Sequence, residues 1–366
     1  MKLPRITILA TLLLTVPAAA QLQITPPAAT PSPPAEKQKP KPPPVTKKKE
    51  AAPAPKPSAS PKPSTSPKPS ASPKPAPAAT VIPAPPSDNS NVDLVFGAYQ
   101  RGQYKTAFDL ATARAETGDA KAMTMLGELY SNAMGIRRDY AKALQWYKRA
   151  SDAGDREAMF ALAMLRISGR GGPVDKNEAV KLMASAAKLG EPKAAYNLAL
   201  LYLDGQTLPQ DVKRSAELLR QAADAGLPEA QYALATFYKE GTGVPKDPER
   251  AVRLLQAATL TDNVDAEVEY AIALFNGTGT PKNQPAAVAL LRKASRQGSA
   301  IAQNRLAWVL INGMGTSVDK VEGFKWHLVA KTAGKGDPEL DKQLSDLPAD
   351  DRSKAEAAAR KWLGTK

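Results

Sequence analysis

The chain contains no cysteine and a single histidine, His327. Without a thiol there is no disulfide, no cysteine nucleophile and no cysteine-ligated zinc or iron–sulfur site. One imidazole cannot build a multi-histidine metal site, and a Ser–His–Asp triad would have to rest on that one ring. Aromatic residues are sparse, at 5% of 366 positions. Long apolar runs are missing too. Spanning a bilayer takes roughly 20 consecutive apolar residues, and no segment offers that. Basic charge is abundant, at a formal net +14, but it is unevenly placed. Residues 21–86 hold ten lysines against Glu36 and Glu50, which leaves 38 basic and 34 acidic residues in 87–366. No aromatic residues are interleaved with those lysines, so the charge does not read as a nucleic-acid surface.

The first twenty residues read as an address. Lys2 and Arg5 form a short basic segment, Ile6 to Val16 an apolar core, and Pro17-Ala18-Ala19-Ala20 a small-residue cleavage pattern. This is the order of a secretory signal peptide, with Gln21 as the mature start. The expectation is an exported protein, periplasmic or secreted, with no membrane span after signal cleavage. No cysteine follows the cleavage site to carry a lipid.

Residues 21–91 read as a disordered Pro/Lys-rich linker. Positions 21–86 contain 22 prolines and almost no large apolar side chains. Such a composition cannot bury enough surface to offset the entropy of ordering. Ser60-Pro61-Lys62-Pro63-Ser64-Thr65 recurs as Ser66-Pro67-Lys68-Pro69-Ser70-Ala71 and again from Ser72. Alternating prolines and mutually repelling lysines favour an extended polyproline spacer. A solvated tether is the plain reading. Contact with an anionic cell wall through the lysines is the sharper one.

From about Asp93 the chain repeats itself every 36 residues. Gly118, Gly154, Gly190, Gly226, Gly298 and Gly334 fall on that grid, with Asp262 at the missing node. Further columns read Ala122, Ala158, Ala194, Ala230, Ala266, Ala302 and Ala150, Ala186, Ala222, Ala258, Ala294, Ala330. A third reads Asp139, Asp175, Asp211, Asp247, Asn283, Asp319. Each unit predicts two helices. In the third, Glu191 to Leu203 is followed by Gly205, which ends the helix in a left-handed turn. Asp211 then caps a second helix from Val212 to Ala225, which turns Ser215, Leu218, Leu219 and Ala222 to one side. One such pair cannot bury its apolar face alone, so neighbours must stack.

The pattern Ala122-x3-Leu126-Gly127-x2-Tyr130, then Gly135, Asp139, Ala143, Trp146-Tyr147 and Ala150, resembles the Sel-one-like repeat (SLR) family, a 36-residue relative of the tetratricopeptide repeat. The resemblance implies an all-α, right-handed superhelical solenoid of helix-turn-helix repeats, and an adaptor for protein–protein interaction in the bacterial envelope. It implies no reaction. The predicted layout is a signal peptide at 1–20, the linker at 21–91 and an N-terminal partial repeat as a cap at 92–118. Six repeats at 119–336 and a C-terminal capping helix at 337–366 follow. The unit at 263–297 departs most, with Asp262, Tyr270 and Ala273 where the others carry Gly, Leu and Leu or Phe.

No catalytic, cofactor-binding or metal-ligating set emerges. The aspartate column gives one carboxylate per loop, too few for a calcium site, and reads as helix caps. Gly241-x-Gly243 and Gly277-x-Gly279 lack the strand and the Lys-Ser/Thr of a phosphate loop. His327 shares a column with Tyr147, Met183, Leu219, Leu255 and Leu291, a packed helix position. The informative feature is a second apolar stripe on the first helices of the repeats. It comprises Phe160, Met164 and Ile167, then Tyr196, Leu200 and Leu203, then Tyr232, Ile272, Phe275, Trp308 and Ile311. By analogy with tetratricopeptide folds this stripe lines a concave groove for a protein or peptide partner; the competing reading places it in the core between repeats. The expected function is therefore an exported, non-enzymatic scaffold that binds a peptide or helix in that groove and serves regulation or assembly in the cell envelope. A cell-wall-associated structural tether is the alternative, and a cell-wall-active enzyme a weaker one.

Overall fold

The computed structural model describes residues 93–364. The linker and signal-peptide expectations for 1–91 lie outside the described residues. Among those described, every regular element is a helix. A first pair, α1 (Leu94–Gln100) and α2 (Tyr104–Glu116), leads into six helical pairs. These are α3 (Ala120–Asn132) with α4 (Tyr140–Asp152), α5 (Arg156–Ser168) with α6 (Lys176–Lys188), and α7 (Pro192–Asp204) with α8 (Val212–Asp224). The last three are α9 (Pro228–Glu240) with α10 (Pro248–Thr259), α11 (Val264–Asn276) with α12 (Gln284–Arg296), and α13 (Ala300–Ile311) with α14 (Lys320–Thr332). Two helices close the array, α15 (Pro338–Ser345) and α16 (Ala349–Gly364). This is the all-α solenoid that the periodicity predicts.

Each second helix starts where its column residue can accept hydrogen bonds from the otherwise unpaired N–H groups of the first turn. Asp139 accepts from Lys142 N at 2.9 Å, Asp175 from Glu178 N at 2.8 Å and Asp211 from Arg214 N at 2.9 Å. Asp247, Asn283 and Asp319 do the same for α10, α12 and α14. The column is a capping column. Several of the first helices end as Gly205 ends α7, with φ at 72°.

Within a repeat the two helices pack on each other, and each second helix packs on the first helix of the next repeat. The alanine columns sit at these crossings. Ala150, Ala186, Ala222, Ala258, Ala294 and Ala330 are all fully buried. A methyl group there sets a close approach that a longer side chain would wedge open. The predicted buried side of α8 is confirmed at Ser215, Leu218, Leu219 and Ala222. The core runs as three adjoining clusters along the array rather than one central mass.

The C-terminus differs from expectation in one respect. The sequence reading has a single capping helix, introduced by Asp350 and Asp351, whereas α15 precedes it. Asp337 caps α15 by accepting from Glu339 N at 2.9 Å, Pro338 takes the first turn, and Leu340 is fully buried. The segment is too short and too charged for its periodicity to show. It is α16 that packs broadly on α14, through Ala355 and Ala359, with Trp362 edge-on to Trp326 at 5.0 Å between ring centroids. Leu363, next to Trp362 in the chain, is exposed.

Candidate functional site: the outer face of the first helices

Each first helix from α5 to α13 has two principal neighbours: the second helix of its own repeat and that of the repeat before. The consensus positions supply both contacts. On α7, Ala194, Leu198 and Ala199 are buried, and the stripe residues Tyr196, Leu200 and Leu203 are half-buried, about 120° away at roughly 100° per residue. The same half-burial holds for Phe160, Met164, Ile167, Tyr232, Ile272, Phe275 and Trp308. Phe160, Met164, Ile167, Tyr196, Leu203 and Tyr232 lean on the central core cluster, and Ile272, Phe275 and Trp308 on the C-terminal one. These side chains thus have one flank in the core and one flank open.

Ile311 departs from the row. It is buried, at 6% exposure, and turned onto α14. Gly323 makes the room, since a Cβ there would meet Ile311 Cγ1 at 2.6 Å. The equivalent positions on earlier second helices are alanine or serine. Ile311 is therefore core in this structure rather than part of an open face.

Electrostatics vary along the face. Burial pushes the Tyr196 phenol up to about 12, and Glu229 on the next first helix adds to it. Tyr232 is raised further by burial and by Glu269, Asp265 and Glu240. Lys239 pairs with Glu269 at 2.9 Å. Beyond it, Arg305 is held below its ordinary value by burial, and its Nε has no hydrogen-bond partner. Trp308 donates through Nε1 to Asp337 at 2.9 Å.

The first repeat breaks the apolar row with Thr124 and Glu128, and there the sequence gives little sign of what the structure holds. Asp93, Phe96, Tyr99, Arg114, Met125 and Glu157 help to line a hollow of about 310 Å³ between α1, α3 and the start of α5. Tyr99 donates to Glu128 at 2.7 Å, and Thr124 to Asp155 at 3.0 Å. Among the described residues no cluster of three or more His, Asp or Glu side chains is arranged to hold a metal ion. No helix of the described residues is long and apolar enough to cross a membrane. His327 takes its column's packed position, fully buried, with Nε2 donating to Asp341 Oδ1 at 2.8 Å.

Stacked two-helix units of this kind define an α-helical repeat solenoid. The chain belongs to the Sel1 repeat family, whose model matches at 120–155, 156–191, 192–227, 228–260, 264–299 and 300–335. The fourth match stops short at 260, ahead of the irregular node at Asp262. Proteins of this repeat class generally mediate protein–protein interaction, and the scaffold is generally non-catalytic. No curated relative matches the chain. Among solved structures it is similar to a protective antigen of uropathogenic Escherichia coli strains displaying an SLR fold. Identity is 25% over 75% of this chain, with a TM-score of 0.64, and the match spans 60% of that antigen's length. A Sel1 repeat protein from Oxalobacter formigenes shares the fold at 24% identity, covering 64% of this chain and 94% of that one, with a TM-score of 0.55.

Proposed function

We propose that this protein is an exported, non-enzymatic scaffold that binds a peptide or helix of a partner protein along the first-helix stripe, in regulation or assembly of the bacterial cell envelope. The observation that carries the reading is the row of half-buried Phe160, Met164, Tyr196, Tyr232, Ile272 and Trp308, each anchored on one flank and open on the other, with half-buried Leu200 among them. Large apolar side chains held rigidly at a surface are what an interface uses as anchors. Export is supported by the signal-like residues 1–20, and the lysine–proline segment serves as the tether that lets the solenoid reach its partner.

The test is the double variant Tyr196→Ser with Leu200→Ser. A fully buried leucine truncation costs about 2–5 kcal/mol, and half-buried positions should cost clearly less. Melting temperature and recovery of partner from crosslinked envelope extract are measured side by side. The reading expects a small melting shift and a steep loss of the captured partner. A large melting shift with unchanged capture would return the stripe to the core and end the proposal.

A further inference from the structure

The stripe is not electrically neutral, and its charge is concentrated over the third to fifth repeats. Glu229 and Asp265 sit in the first turns of α9 and α11, both exposed, beside Tyr196 and Tyr232 respectively. Acidic residues in a first turn favour the helix dipole, so those two have an ordinary structural explanation. Asp204 and Glu240 do not. They are the last residues of α7 and α9, at the negative ends, where a carboxylate opposes the helix. Among the described residues neither forms an ion pair. Glu269 adds a fifth carboxylate, shared with Lys239. The cations on the same face are Lys193 at the near edge, Lys239 in its ion pair, and half-buried Arg305 beyond Glu269.

Helix stability therefore does not account for Asp204 and Glu240, whereas recognition of positive charge accounts for all five carboxylates. Tyrosine faces add to it, because a cation over an aromatic ring is attracted to the ring face, more strongly as it is desolvated. Between the carboxylates the floor is apolar, with Leu200, Tyr232 and Ile272 half-buried. Resting on the reading of the stripe as a binding surface, we propose that repeats three to five take a cationic amphipathic segment of a partner protein. Its apolar side lies on Tyr196, Leu200, Tyr232 and Ile272, and its lysines or arginines lie against Glu229, Glu240 and Asp265. Charge complementarity of this kind governs encounter rate and partner choice more than total affinity.

The experiment uses the full-length chain and three synthetic amphipathic peptides with identical leucine positions. Their polar positions carry lysine, glutamine or glutamate. Binding is followed by fluorescence anisotropy at about 50 mM and about 500 mM salt, where screening lengths differ severalfold. The lysine peptide should bind at least about tenfold tighter than the glutamate peptide at low salt, with most of that preference gone at high salt. Glu229→Gln with Asp265→Asn should remove much of the preference and leave the melting temperature nearly unchanged, since both side chains are exposed. Equal binding of all three peptides, lost in Tyr196→Ser/Leu200→Ser, would overturn the charge inference and keep the groove. A lysine preference untouched by Glu229→Gln/Asp265→Asn would overturn it as well, by placing the cation elsewhere. Binding indifferent to Tyr196→Ser/Leu200→Ser, or none by any peptide, would remove the groove reading with it.

Discussion

Gly127 lies under the ring of Tyr147: a Cβ at Gly127 would meet Cδ1 and Cε1 at 2.6 Å. Tyr147 is buried on α4, and Gly127 is the one glycine of α3. In the second to fifth repeats the same pair of columns reads alanine against methionine or leucine, as in Ala163 with Met183 and Ala199 with Leu219, and in the sixth alanine against His327. Size is traded between the two positions while the helix separation is kept.

Gly127→Ala is therefore expected to cost about 1–3 kcal/mol, the usual range for overpacking a close-packed contact. Combined with Tyr147→Met, which imports the second repeat's solution, the alanine should become nearly neutral. Thermal melts of the four members of this cycle measure the coupling. Equal costs of Gly127→Ala in both backgrounds would show that the ring is not what the glycine accommodates.

A second expectation concerns the irregular node. Asp262 stands where other units carry glycine, and it adopts a φ of 55°, in the left-handed region. Lys293 on α12 reaches across to it at 2.7 Å and reaches Glu267 at the same distance. Glu267 is fully buried and its Oε2 has no hydrogen-bond partner. The equivalent Gln231 and Gln303 instead donate to backbone oxygens eight residues earlier, at Ala223 and Ser295. Lys293→Ala strands a buried carboxylate and should destabilise strongly. In a Glu267→Gln background the amide can donate to Thr259 O as its equivalents do, and Lys293→Ala should then cost little. Chemical denaturation of the single and double variants reads the difference; identical losses in both backgrounds would refute the pairing.

The third expectation concerns pH and the C-terminal cap. The Asp341 carboxyl is held below its ordinary value of 3.8 by hydrogen bonds from Lys331 and then His327, the contacts that tie α15 to α14. A carboxylate with a depressed folded-state pKa contributes stability that is present above 3.8 and is lost as pH falls through the lower folded value. Asp341→Asn should melt below wild type at neutral pH, and the gap should close as pH drops below 3.8. Asp341 is exposed enough for the gap to be small. A gap independent of pH over that range would mean that the carboxylate charge does not hold the cap.

What the sequence made legible is what recurs. Six copies of one column average out local accidents, so the capping aspartates, the buried alanines and the two-helix unit could all be read from spacing. The features it hid occur once. The Glu267–Lys293 contact, helix α15 and the His327–Asp341 bond depend on single residues brought together across helices, and no period announces them. The stripe was legible as a row of apolar residues at helical spacing. Its degree of exposure was not, because that depends on what faces it: Ile311 sank into the core when Gly323 made space, whereas Ile167 and Leu203, four and three repeats earlier, stayed half-open.

The helices touch mainly their neighbours in the chain, and each junction presents nearly the same alanine and leucine surfaces as the next. Length is then a free variable of this architecture in a way that it is not for a globular core. A unit such as 192–227 begins and ends on interchangeable surfaces, so duplication or loss of one 36-residue block would move the ends of the array apart or together by one step without creating a new kind of contact. Gene-level slippage in whole units could therefore retune how far apart two anchor points sit on a partner, with no new packing problem to solve.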